Sequence, residues 1–87
     1  MDIGNLHTVW GGYNKKDVMR KIDAYKSLIV LLEKNSLSWA RVNAELEKIH
    51  SAPIRKMFVL MRGYSVTDAE AAFEKLEQEV KKHTFLS

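Results

Sequence analysis

The chain has 87 residues, 46% of them hydrophobic and 29% charged, a formal net charge of +3 and no cysteine. That length supports one domain with a modest core, and the composition excludes wholesale disorder, disulfides and thiolate metal sites. Residues 1–11 lack the basic start and apolar core of a signal peptide, and the longest apolar runs, Leu28–Leu32 and Met57–Met61, fall far short of the ~20 residues that a bilayer-crossing helix needs. A soluble, cytoplasmic protein is expected.

Taken in chain order, residues 1–13 read as an irregular lead-in that holds His7, Val9 and Trp10 and closes on Gly11-Gly12. Asn14 is the predicted N-cap of a first helix over about 15–35. Val18, Ile22, Tyr25, Ile29 and Leu32 form its apolar stripe, and Asn35-Ser36 ends it. The Leu28–Leu32 run is apolar all round, so other elements are expected to surround that end. Ser38 caps a second helix over 38–51 with Trp39, Val42, Leu46 and Ile49 on its stripe. Ser51-Ala52-Pro53 is a break and restart. Periodicity leaves 54–62 open between helix and buried strand; it is assigned to helix because nothing else in the chain offers a strand partner. Gly63 then suits a left-handed C-terminal cap. Ser65 caps a last helix over 66–82 with Ala69, Phe73, Leu76 and Val80 facing inward.

Two of these helix starts share their wording. Gly12-Tyr13-Asn14-Lys15-Lys16-Asp17-Val18 recurs 51 positions later as Gly63-Tyr64-Ser65-Val66-Thr67-Asp68-Ala69. In both copies a polar cap follows the tyrosine, and Asp17 or Asp68 sits in the first turn, where the helix dipole favours negative charge. Tyr13 and Tyr64 are expected to staple the entry of the helix that follows each of them. The expected fold class is therefore all-α: a small four-helix bundle or helical hairpin array, one domain over 1–87, with an internal 51-residue quasi-repeat.

The Gly-Tyr-polar-x-x-Asp starts resemble those of the DivIVA-like family of bacterial cell-division and polarity scaffolds. That family opens on a phenylalanine-arginine-glycine-tyrosine turn followed by an acid-rich helix start and a coiled coil. The second copy, Met61-Arg62-Gly63-Tyr64, keeps arginine, glycine and tyrosine and has methionine where the family has phenylalanine; the first copy has Trp10-Gly11 before Gly12-Tyr13. The resemblance implies a self-associating, non-enzymatic scaffold that localises other proteins at the inner membrane face. It makes Trp10 or Met61 the side chain pressed into the membrane and Arg62 the contact to lipid phosphate.

Other constellations imply less. Glu47-x-x-His50 has the spacing of a di-iron bundle ligand pair, but Glu79 and His83 have the wrong spacing to supply the second copy, so no metal or cofactor is expected. His7 and His83 are expected to be solvated. No nucleophile elbow or glycine-rich phosphate loop is present, and enzymatic activity is not expected. The charges divide: Lys15, Lys16, Arg20, Lys21 and Lys26 crowd the first helix, whereas Asp68, Glu70, Glu74, Glu77 and Glu79 crowd the last. The alternative function is a small helix–turn–helix nucleic-acid binder with Arg55, Lys56 and Arg62 on the helix after Pro53. The expected partner is a second copy of the chain, with peripheral membrane contact and nucleic acid as further candidates.

Overall fold

The computed structural model describes residues 6–34 and 37–86. In chain order it contains β1 (Thr8–Trp10), α1 (Lys15–Glu33), α2 (Trp39–Ser51), β2 (Arg62–Tyr64) and α3 (Val66–Leu86). Three helices and a two-stranded antiparallel sheet thus replace the expected four-helix arrangement. The helix expected over 54–62 does not form. Residues 54–61 run in extended and turn conformations into β2, which pairs with β1 through Thr8 opposite Tyr64, Val9 opposite Gly63 and Trp10 opposite Arg62. The strand partner that 54–62 lacked in the sequence is the lead-in, some fifty residues upstream. The predicted stop at Asn35-Ser36 lies outside the described residues; α1 is capped at Lys34, whose N–H donates to the Val30 and Leu32 carbonyls.

The helix starts form as their sequences dictate. Asn14 Oδ1 accepts from the Asp17 N–H (3.0 Å), Ser38 Oγ from the Arg41 N–H (3.3 Å) and Ser65 Oγ from the Asp68 N–H (3.3 Å). The expected stripes, Val18, Ile22, Tyr25, Ile29 and Leu32 on α1 and Ala69, Phe73, Leu76 and Val80 on α3, are buried, with Leu28 and Ala72 buried beside them. Both sets step by four and three residues in turn, the spacing of a coiled-coil seam, and corresponding members are 51 positions apart. The two helices start side by side at the sheet and run in the same direction, packed on each other within one chain. The stripes expected to mediate self-association are therefore buried against one another, and any association of copies has to use another surface. α2 folds back along α1 and contributes Val42, Leu46 and Ile49 to the core. Trp39, expected on that stripe, is 50% exposed.

The quasi-repeat is a pseudo-twofold junction. Tyr13 and Tyr64 lie opposite each other and exchange both backbone hydrogen bonds, Tyr13 N–H to Tyr64 O at 2.8 Å and Tyr64 N–H to Tyr13 O at 3.0 Å. The segment before each Gly-Tyr pair then joins the other copy. Thr8 faces Tyr64 while Lys56 faces Tyr13, the His7 carbonyl accepts from Ser65 N–H (2.7 Å) and the Arg55 carbonyl from Asn14 N–H (2.8 Å). Gly12 and Gly63 meet at the crossing. A Cβ on Gly12 would lie 2.9 Å from the Gly63 carbonyl carbon, and one on Gly63 2.8 Å from that of Gly12, each closer still to the oxygen of the opposing tyrosine. Gly63 is accordingly a strand residue selected by close backbone approach, not a left-handed cap; among the described residues the positive-φ glycine is Gly11, at 68°.

Candidate functional site

The first-turn acids act beyond the dipole. Asp17 is buried and binds Arg55 three times: Oδ2 accepts from the Arg55 backbone N–H (3.1 Å) and Nε–H (2.9 Å), and Oδ1 accepts from Nη2–H (3.0 Å). At the matching position, Asp68 Oδ2 accepts from the backbone N–H of His7 (2.9 Å) and from its Nδ1 (2.7 Å). The two acids tie each segment to the helix of the other copy. The Arg55 guanidinium, followed by its backbone N–H, pulls the Asp17 carboxyl down to about 2 from an ordinary 3.8. Asp68 is lowered in the same sense by the backbone and ring N–H groups of His7.

A carboxyl depressed in the folded state stabilises the fold fully above its unfolded pKa, and that contribution disappears as pH falls through the folded value. The melting temperature is therefore expected to fall between pH 4 and pH 2, and Asp17→Asn to flatten this acid limb while lowering the melting temperature at pH 7. Thermal melts of parent and variant across that range check both.

Tyr13 and Tyr64 were expected to staple their own helices, but their polar contacts cross over. Tyr13 O–H donates to Glu70 Oε1 on α3 (2.8 Å), and Lys15 of α1 stands over the Tyr64 ring at 5.6 Å. The bond to Glu70, with burial second, raises the Tyr13 pKa. Glu47 is exposed, while His50 turns to Glu77, whose Oε2 accepts from Nδ1 (2.7 Å) and from the Tyr25 hydroxyl (2.8 Å). Burial pushes the Glu77 carboxyl up, but these two donors outweigh it and the group titrates low. No group of three histidine and carboxylate side chains able to hold a metal occurs among the described residues. His7 is exposed, as expected, while its ring reaches Asp68; His83 is half-buried, with Nε2 3.4 Å from Glu79.

The basic residues of the nucleic-acid alternative are dispersed. Arg55 is committed to Asp17, and Lys56 sits in a β-bridge. Arg62 donates to the Thr8 carbonyl and hydroxyl (both 3.1 Å) with its guanidinium 5.1 Å from the Trp10 ring centre. They share no helix face, so the recognition helix on which that alternative rests does not exist.

The structure does bring Trp10, Met61 and Arg62 together. Gly11 N–H donates to the Met61 carbonyl (2.9 Å), and Met61 N–H closes a turn on the Phe58 carbonyl (2.8 Å). This turn holds Phe58, Val59, Leu60 and Met61 out from the sheet, all more than half exposed, with Leu60 at 74%. Trp10, 64% exposed, stands on the neighbouring strand. Soluble surfaces scatter single apolar residues but rarely cluster five large ones at a protruding end. Assigning 54–62 to helix left Phe58, Val59 and Leu60 out of the site; the five apolar residues Met57–Met61 ahead of Arg62-Gly63 were the available signal. Lys56 and Arg62 flank the turn, and Lys15 and Lys16 open α1 at the same end.

Among the described residues no helix is long and apolar enough to cross a membrane. Comparison of the chain with family models, with curated proteins and with solved structures returned no match.

Proposed function

We propose that the chain is a non-enzymatic module that docks on anionic membrane surfaces through the Phe58–Met61 turn and Trp10, and so localises proteins it carries, in the manner of DivIVA-like scaffolds. The observation that carries this reading is the run of four large apolar side chains projecting into solvent at the tip of a sheet. Nothing in the core uses them. Burying each is worth about 1.5–3 kcal/mol, and each lysine or arginine near an anionic surface adds about 1 kcal/mol. Tryptophan is the side chain best suited to the headgroup boundary, and Arg62, stacked on Trp10, places a cation beside it. The resemblance at Met61-Arg62-Gly63-Tyr64 supports the same use of this turn.

Flotation with vesicles containing anionic lipid tests it. The parent is expected to float with anionic vesicles and far less with zwitterionic ones. Phe58→Asp with Leu60→Asp should remove binding at least 100-fold, because two apolar anchors are lost and two negative charges gained. Trp10→Ala and Arg62→Ala should each weaken it less. These positions are exposed, so the variants should melt near the parent temperature. A parent that stays with the protein fraction at every lipid concentration ends the reading.

A further inference from the structure

We infer that the groove between α1 and α2 is a docking site for an acidic amphipathic helix of a partner protein. Leu28–Leu32 is apolar all round, yet α2 does not close over it: Leu31 remains 41% exposed and opens into a groove of about 680 Å³. Ala24, Leu28 and Leu31 on α1 and Ile49 on α2 supply apolar lining. This is a second stripe on α1, separate from the seam that meets α3. The positions 51 residues after Ala24, Ser27 and Leu31 are Lys75, Gln78 and Lys82, so α3 offers no such face.

Shape and charge together select the occupant. From Arg20 to Leu31 the lining follows α1 over eleven residue steps, about 17 Å at 1.5 Å per step, which is three turns of helix. Both walls are helical, with residues three and four apart, the spacing into which the ridge of a third helix packs. The sides carry Arg20, Lys21, Arg41 and Lys48 against Asp17 and Glu45. Asp17 is already committed to Arg55, and Glu45 lies 3.6 Å from Arg41. Lys21 Nζ donates to the His50 carbonyl at the end of α2 (3.0 Å). Arg20 and Lys48 form no ion pair among the described residues. An apolar groove whose sides carry four cations against two carboxylates favours a helix with leucine-like anchors on one face and glutamate or aspartate beside them.

The probe is a labelled synthetic helix of about 15 residues, leucine at positions i, i+3, i+4 and i+7 and glutamate beside them, followed by fluorescence anisotropy. A peptide with lysine replacing each glutamate is the control. The acidic peptide is expected to bind at least tenfold more tightly than the basic one and to weaken as salt rises. Leu31→Glu should weaken it at least tenfold. Lys48→Glu should weaken the acidic peptide and strengthen the basic one, a reversal that loss of folding would not produce. Phe58→Asp with Leu60→Asp should leave peptide binding unchanged, which separates this site from the membrane-facing tip. Equal binding of the two peptides, no binding of the acidic one, or indifference to both groove variants overturns the inference. So does a dimer in sedimentation that Leu31→Glu dissolves, since the occupant would then be a second copy.

Discussion

Alanine at Gly12 or at Gly63 is expected to destabilise the chain by about 3 kcal/mol or more, enough to unfold much of a small domain of about 5–15 kcal/mol total stability. The two backbones cross at these residues, and an added methyl group would strike carbonyl groups of the opposite strand. A side chain there could swing aside, but a carbonyl cannot move without breaking the paired Tyr13–Tyr64 hydrogen bonds. Pseudo-symmetry makes the two variants nearly equal in effect. Gly11→Ala supplies the control. Its φ of 68° carries about 1–2 kcal/mol of left-handed strain for alanine, but a Cβ there meets only ordinary contacts, the nearest at 3.6 Å. Urea unfolding should therefore rank Gly12→Ala and Gly63→Ala together, well below Gly11→Ala. If Gly12→Ala lay within 0.5 kcal/mol of the parent, the crossing would not be as tight as described.

Tyr25 carries the second large effect, through two separable contributions. Its side chain is fully buried in the α1–α3 seam, with its ring 6.4 Å from that of Phe73 and tilted by 40°. Its hydroxyl donates to Glu77, and burial together with that bond raises its pKa. Tyr25→Phe keeps the packing and loses one hydrogen bond to a charged acceptor, about 1.5–3 kcal/mol. Tyr25→Ala also leaves a cavity between the helices, and about 3–5 kcal/mol is expected. His50 remains on Glu77 in both variants, so the carboxylate is not orphaned and the gap between them reports packing. Equal losses from the two substitutions would show that the seam collapses around the vacancy.

Much of the helical half of the fold was legible along the chain. The caps at Asn14, Ser38 and Ser65 act locally, and the stripes of α1 and α3 are periodic, so both could be read from residues three and four apart. The strands were not legible for a geometric reason. Each is three residues long and gains its hydrogen bonds only from a partner 52 to 56 positions away, as in Trp10 opposite Arg62 and Thr8 opposite Tyr64. The same distance hid the ties from Asp17 to Arg55 and from Asp68 to His7, which look like ordinary first-turn acids from within their own helices. It also placed Phe58, Val59 and Leu60, in a segment assigned to helix, on an exposed tip.

The order of the amino acids by itself determined where three helices begin, which face of each is apolar, and that one short phrase occurs twice. Tertiary structure alone decided that the two copies face each other across paired backbones, that each borrows a segment from the other, and that their helices close into a seam within one chain. Local preference can start a helix because its hydrogen bonds return to residues four positions away. A crossing of distant strands has no such short-range partner, and only the collapsed chain brings its halves together.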